Sequence, residues 1–120
     1  MGNEVAIETT IETDVGVVAF KSASITDVQG IADATDEIRE FVGQNQPRML
    51  IFDFAQVRFF SSQVLGLLLD IRAKLAVYEG KVVISAINPQ LHRVFRITNL
   101  DKVFGFFPDL ESAFKSANAE

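Results

Sequence analysis

Two adjacent hydroxyls, Ser61 and Ser62, occupy the position in this chain best suited to chemistry. Before them runs Met49-Leu50-Ile51-Phe52-Asp53-Phe54, nearly all apolar, as a strand covered on both faces requires. After them come Val64, Leu68, Ile71, Leu75 and Tyr78, at spacings of four, three, four and three, one face of a helix. The pair therefore sits where a central strand hands over to a buried helix. Free backbone N–H groups collect there and the helix dipole favours negative charge. Two uses fit. One is an N-cap with a small neighbour, which needs no function, since Ser is a leading cap residue. The other is a phosphoryl acceptor, because a phosphate adds about −1.5 to −2 charges at a spot that amides and dipole already suit.

The remaining candidates are weaker. His92 is the only histidine and lies just after Asn88-Pro89, where a solvated or capping role is the simpler reading. A small hydrolase with Ser62 as nucleophile would need His92 as its base, and no orienting acid can be located. Asp53, inside an apolar strand, reads either as a hydrogen-bonded carboxylate or as a functional acid with a raised pKa, with the structural role favoured. Phe59-Phe60 and Phe104, Phe106 and Phe107 read as core. Glu37 and Glu40 read as a solvated helix face, not a metal site. There is no Gly-rich phosphate loop and no His-carboxylate cluster.

Composition narrows the field. A chain of 120 residues predicts one domain, with a core over about residues 4–117, large enough to hold together without staples. With no cysteine, disulfides, thiolate catalysis and thiolate metal sites are excluded. A net charge of −5 disfavours nucleic acid as a partner. No apolar run approaches membrane-spanning length and the start lacks signal-peptide blocks. Met1-Gly2 opens like a myristoylation site, but Ala6 stands where Ser or Thr is wanted. The expectation is a cytoplasmic protein with no cofactor.

The elements that must position the serines follow from patterning. Val5, Ile7, Thr9 and Ile11 alternate with Glu4, Glu8, Thr10 and Glu12 as a half-buried strand. Turn residues 13–16 lead to a second strand at Val17-Val18-Ala19-Phe20, so the two form a hairpin. Thr26 or Asp27 caps a helix with Ile31, Ile38, Phe41 and Val42 inward, stopping at Gly43 before a loop over residues 44–47. Gly80 ends the helix after the serines, and residues 81–87 form another covered strand. Asn88-Pro89 starts a short helix with Leu91, Val94 and Phe95 inward. Residues 103–106 suggest a last strand, and Pro108-Asp109 starts a final helix with Leu110, Ala113, Phe114 and Ala117 inward. The order β-β-α-β-α-β-α-β-α predicts an α/β fold with a mixed, mostly parallel sheet of about five strands and four helices. Right-handed crossovers would bring strand ends and helix starts to one edge.

The order of these pieces resembles the STAS domain family, which includes cytoplasmic domains of sulfate transporters and bacterial anti-sigma factor antagonists. Its pattern of an apolar strand, a short turn and Asp-Ser-Ser-Gly-Leu-Gly opening an apolar helix is matched by Ser61-Ser62-Gln63-Val64-Leu65-Gly66. Gly80-Lys81-Val82-Val83-Ile84, Asn88-Pro89, Val94-Phe95 and Leu100-Asp101-Lys102-Val103-Phe104 look like its closing half. The resemblance implies a STAS-like single domain that is no enzyme. It implies that Ser62, with Ser61 as second choice, is phosphorylated by a partner that is both anti-sigma factor and serine kinase. That partner supplies ATP and magnesium, and phosphorylation releases it. The implied contact surface is Ser24, Thr26, Asp27, Ser61, Ser62, Gln63, Val64 and Gly66. The chain departs from the pattern at three places. Ser61 replaces the Asp, Gln63 the second Ser and Val64 the first Gly, which removes a charge beside the acceptor and adds bulk where a partner would approach. A STAS scaffold without phosphorylation, binding a protein or small ligand by fixed shape, is the alternative.

Overall fold

The computed structural model describes residues 5–119; Glu4 and the Met1-Gly2 opening lie outside the described residues. Strands β1 (Ile7–Glu12) and β2 (Val15–Phe20) form the expected antiparallel hairpin, turning at Thr13 with a φ of 60°. A two-residue strand β3 (Ser24–Ile25) precedes helix α1 (Val28–Asn45). Strand β4 (Met49–Asp53), strand β5 (Phe59–Phe60), helix α2 (Gln63–Ala76) and strand β6 (Lys81–Ser85) follow. Helix α3 (Pro89–Ile97), strand β7 (Gly105–Phe107) and helix α4 (Leu110–Asn118) complete the fold. The main sheet has the order β1-β2-β4-β6-β7, with every pair after the hairpin parallel. A second, two-stranded parallel sheet, β3-β5, was not foreseen, because two residues are too few to show a period.

The apolar run at β4 resolves into two faces. Met49 and Ile51 pack with Val15, Val17, Val83, Ala113 and Ala117, so α4 covers that side. Leu50 and Phe52 pack with Val18, Ile31, Ile38, Leu68 and Phe95, placing α1, α2 and α3 on the other. Alternation along a strand with both faces covered leaves no polar slot until Asp53 at its end. A chain of rings crosses the core beneath the small sheet: Phe54 to Phe60 at 5.8 Å, Phe60 to Phe95 at 6.1 Å, and Phe95 to Phe106 at 5.2 Å. Edge-on ring pairs of this kind add about 0.5–1.5 kcal/mol each beyond the area they bury.

Several boundaries differ from the sequence reading. Helix α1 runs through Gly43, which has open space around it, and stops at Gln46, whose φ is 41° and whose N–H donates to the Val42 carbonyl at 2.7 Å. Strand β6 stops at Ser85 because Ala86 turns to a φ of 59°. The last strand starts at Gly105, since a 3₁₀ turn at Leu100–Lys102 and the buried Phe104 come first. Phe41 and Phe114 are only partly buried.

Helix α2 ends in a Schellman-type closure: Gly80 N–H donates to the Leu75 carbonyl at 2.8 Å and Glu79 N–H to the Ala76 carbonyl at 3.1 Å. The left-handed residue is Glu79, at a φ of 67°, and not Gly80. Gly80 is needed for space instead, since a Cβ there would lie 2.9 Å from the Tyr78 ring and 3.1 Å from Leu75. Glu79→Gly should therefore stabilise the fold by about 1 kcal/mol, the strain relieved at a left-handed position. Gly80→Ala should destabilise it by about 1–3 kcal/mol through crowding. Denaturant midpoints of the two variants against the parent chain check both signs.

Candidate functional site

The small sheet binds two connections into one surface. Arg58 and Phe59 N–H groups both donate to the Ala23 carbonyl, at 2.8 and 3.1 Å, and Ser61 N–H donates to the Ile25 carbonyl at 3.0 Å. Adjacent residues of an extended segment point to opposite sides. Ile25 and Phe60 thus go into the core, while Ser24, Thr26 and Phe59 face out. Phe59 is 56% exposed, which corrects its reading as core. Two adjacent rings in a strand over one core cannot both be buried, so the alternation rule carried that signal.

Beyond Phe60 the chain enters α2. Val64 N–H and Leu65 N–H close back onto the Ser61 and Ser62 carbonyls, each at 3.0 Å. Ser62 already has helical angles, φ −60° and ψ −18°, and its side chain makes no capping bond. A capping residue needs extended angles, and the other three helices have such residues. Asp27 accepts from Gly30 N–H at 2.7 Å, Asn88 from Leu91 N–H at 2.8 Å, and Asp109 from Ser112 N–H at 2.7 Å. The hydrogen bonds from Ser112 hold the Asp109 carboxyl below its ordinary range. Among the described residues, then, α2 is the one long helix started without a side-chain cap, and the residue at its start is an exposed serine.

The neighbours of Ser62 fall into three groups. Ser61 is half-buried, and its Oγ is sealed from solvent with no hydrogen-bond partner. Gln63 Nε2 donates to the Val28 carbonyl at 3.4 Å, tying the start of α2 to that of α1. Gly66, one helical turn on, is exposed with open space around it. Ser24, Thr26, Asp27, Ser61, Ser62 and Gln63 thus share one edge, with Asp27 committed to its cap. Val64 does not belong to it: its side chain is fully buried, so its bulk fills the core and offers nothing to a visitor. Val28, 69% exposed, and Phe59 add apolar surface that the sequence reading had not included.

The other candidates lie elsewhere. The His92 ring stacks on Phe106 of the edge strand, centroids 4.4 Å apart, and among the described residues neither serine is hydrogen-bonded to it. Asp53 accepts from the Ser85 hydroxyl at 3.3 Å and Ala55 N–H at 3.2 Å, which joins the ends of β4 and β6 and favours its structural role. No cluster of three or more His, Cys, Asp or Glu side chains suited to a metal occurs among the described residues. No helix among them is long and apolar enough to cross a membrane.

The STAS domain model matches residues 6–113. This chain belongs to the STAS domain family. Its fold is that of solved relatives. The anti-sigma factor antagonist SpoIIAA in its unphosphorylated form superposes with a TM-score of 0.84 at 18% identity, over 96% of this chain and 98% of that one. The same protein is also matched in its phosphorylated form. An anti-sigma factor antagonist from Mycobacterium paratuberculosis gives 0.77 at 25% identity, over 97% of this chain and 96% of that one. The STAS domain of a SulP transporter from Vibrio cholerae gives 0.67 at 19% identity, over 92% and 89%. The STAS fold thus occurs both in antagonists and in transporter domains.

The capping geometry makes a stability prediction. Asp27→Ala and Asn88→Ala should each cost about 1 kcal/mol, the usual loss of a cap. Ser62→Ala should stay within about 0.5 kcal/mol of the parent. Ser61→Ala should be neutral or stabilising, because it removes a buried hydroxyl that nothing satisfies. Urea unfolding of the four variants checks the ranking.

Proposed function

We propose that this STAS domain is an anti-sigma factor antagonist-like regulator that binds a protein partner and is switched by phosphorylation of Ser62. The observation that carries the reading is the exposed Ser62 at the uncapped start of α2, flanked by Phe59, Val28, Gln63 and Gly66. Its hydroxyl maintains no internal bond, so modification breaks nothing within the fold. The partner is an anti-sigma factor that is also a serine kinase, in the cytoplasm. It binds ATP and magnesium and moves the γ-phosphoryl group to Ser62 Oγ. The bond to ADP breaks, the serine proton leaves, and the domain remains a substrate and binding protein, not a catalyst.

Release follows from electrostatics. Before transfer the surface offers an apolar side chain on each flank and a small neutral hydroxyl. Afterwards about −1.5 to −2 charges occupy its middle, and an acidic or apolar partner face loses its fit. The fold accepts the charge because the helix start favours anions and α2 has no acidic residue in its first turn. The second reading is a STAS scaffold that binds by fixed shape. It is favoured by Ser61, whose sealed hydroxyl supplies no carboxylate beside the acceptor.

The two readings part on one comparison. Under the switch, Ser62→Asp weakens partner capture about tenfold or more, Ser62→Ala preserves it, and neither shifts the unfolding midpoint appreciably. Capture from extracts of the native host, followed by mass spectrometry of residues 59–72, measures both binding and phosphate. Unchanged capture by Ser62→Asp with no phosphate on Ser62 would favour the scaffold.

A further inference from the structure

The amino ends of the parallel strands, opposite the end at which β4 leads on toward Ser62, enclose a second feature that the regulatory reading does not use. Met49, Lys81 and Gly105, the first residues of β4, β6 and β7, line a cavity of about 310 Å³ together with the late turns of α2 and Ser116 of α4. That volume lies at the small end of ligand pockets, which run from about 300 to 1,000 Å³.

Its chemistry is divided. Met49, Ala76, Val83, Val103 and Phe107 give an apolar wall. Arg72 supplies positive charge, and no acidic side chain among the described residues lines the space. Arg72 is exposed and makes no ion pair or side-chain hydrogen bond among the described residues. The sheet adds a backbone donor. Lys81 N–H points to β4, donating to the Arg48 carbonyl at 3.0 Å, so the N–H of the next residue, Val82, is directed toward β7. Pairing with β7 begins only at Val83 opposite Gly105.

We propose that this cavity binds a small organic monoanion with an apolar body, of the class of a medium-chain carboxylate. The carboxylate pairs with the Arg72 guanidinium, whose planar fork matches two oxygens at once. The hydrocarbon lies against Val83, Val103 and Phe107 and loses its contact with water. Such a site is independent of Ser62, and either proposal can fail without the other.

Octanoate is the probe, titrated into the full chain labelled with ¹⁵N, with octan-1-ol and inorganic phosphate as the tail alone and the charge alone. The expected result is saturable shifts confined to the amides of Gly80, Val82, Gly105 and neighbouring residues, stronger for octanoate than for either control. Arg72→Ala should weaken binding about tenfold, and Arg72→Lys should recover part of the loss. Arg72 is exposed, so the variants keep the fold, and their unperturbed spectra establish that. Shifts elsewhere, equal binding of octan-1-ol, indifference to Arg72→Ala, or no saturation by octanoate at millimolar concentration would each overturn the proposal.

Discussion

The short ladder between β3 and β5 is the constraint on which the presentation of the serines depends. Three N–H groups, from Arg58, Phe59 and Ser61, reach the carbonyls of Ala23 and Ile25 at 2.8–3.1 Å. Without them the link from β2 to α1 and the link from β4 to α2 would be two separate loops. Each would then keep its own conformational freedom, worth roughly 1–2 kcal/mol per residue fixed. The ladder holds because Ile25 and Phe60 are buried below it, and Phe60 is wedged between the rings of Phe54 and Phe95. Core packing thus sets the position of the outward residues one step along each strand. A surface made of loops obtains the rigidity of a sheet.

Helix α2 connects the two ends of the molecule. It starts at the exposed serine and finishes beside the cavity at the amino ends of the strands. Val64, Leu65, Leu67, Leu68, Ile71 and Leu75 fix it to the sheet, and Asp70 accepts two hydrogen bonds from Arg39 of α1, both at 2.8 Å. That carboxylate raises the Arg39 pKa through its hydrogen bond and its charge. The pair lies largely in water and adds little to the adhesion between the two helices, which their buried faces supply.

The sequence carried the sheet, its parallel sense and the place of the serines, because a long apolar run or a helical spacing fits few other backbone shapes. It was silent where the deciding physics is short-range or tertiary. A two-residue strand has no measurable period, so β3 and β5 were invisible. Gly43 and Gly80 resembled stops, yet left-handed Gln46 and Glu79 end those helices. Val64 stands in the middle of the surface turn but points inward, because the helix has already begun and its angular position faces the core. Ser62 has the composition of a cap and the angles of a helical residue. Only backbone geometry separates those two, and residue identity does not encode it.

That separation has an energetic consequence. At Asp27, Asn88 and Asp109 the side chain is committed to a helix start. At Ser62 the backbone closes the turn, through the Ser61 and Ser62 carbonyls, and leaves the hydroxyl uncommitted. Modifying it therefore changes the surface potential without drawing on folding stability. Ser61 bears on the same balance. A carboxylate at that position, as in the family pattern, would repel a phosphate of about −1.5 to −2 charges on its neighbour by about 1.5–2 kcal/mol at 4 Å in a water-like medium, and several times more in a drier one. With a neutral serine there, the phosphorylated form is spared that repulsion. Under the proposed function, discrimination between the two forms then falls to the partner's surface more than to strain within this domain. Under that reading a neutral Ser61 would lower the electrostatic cost of a phosphate on Ser62, while the contact that a carboxylate would offer a partner at that position is lost.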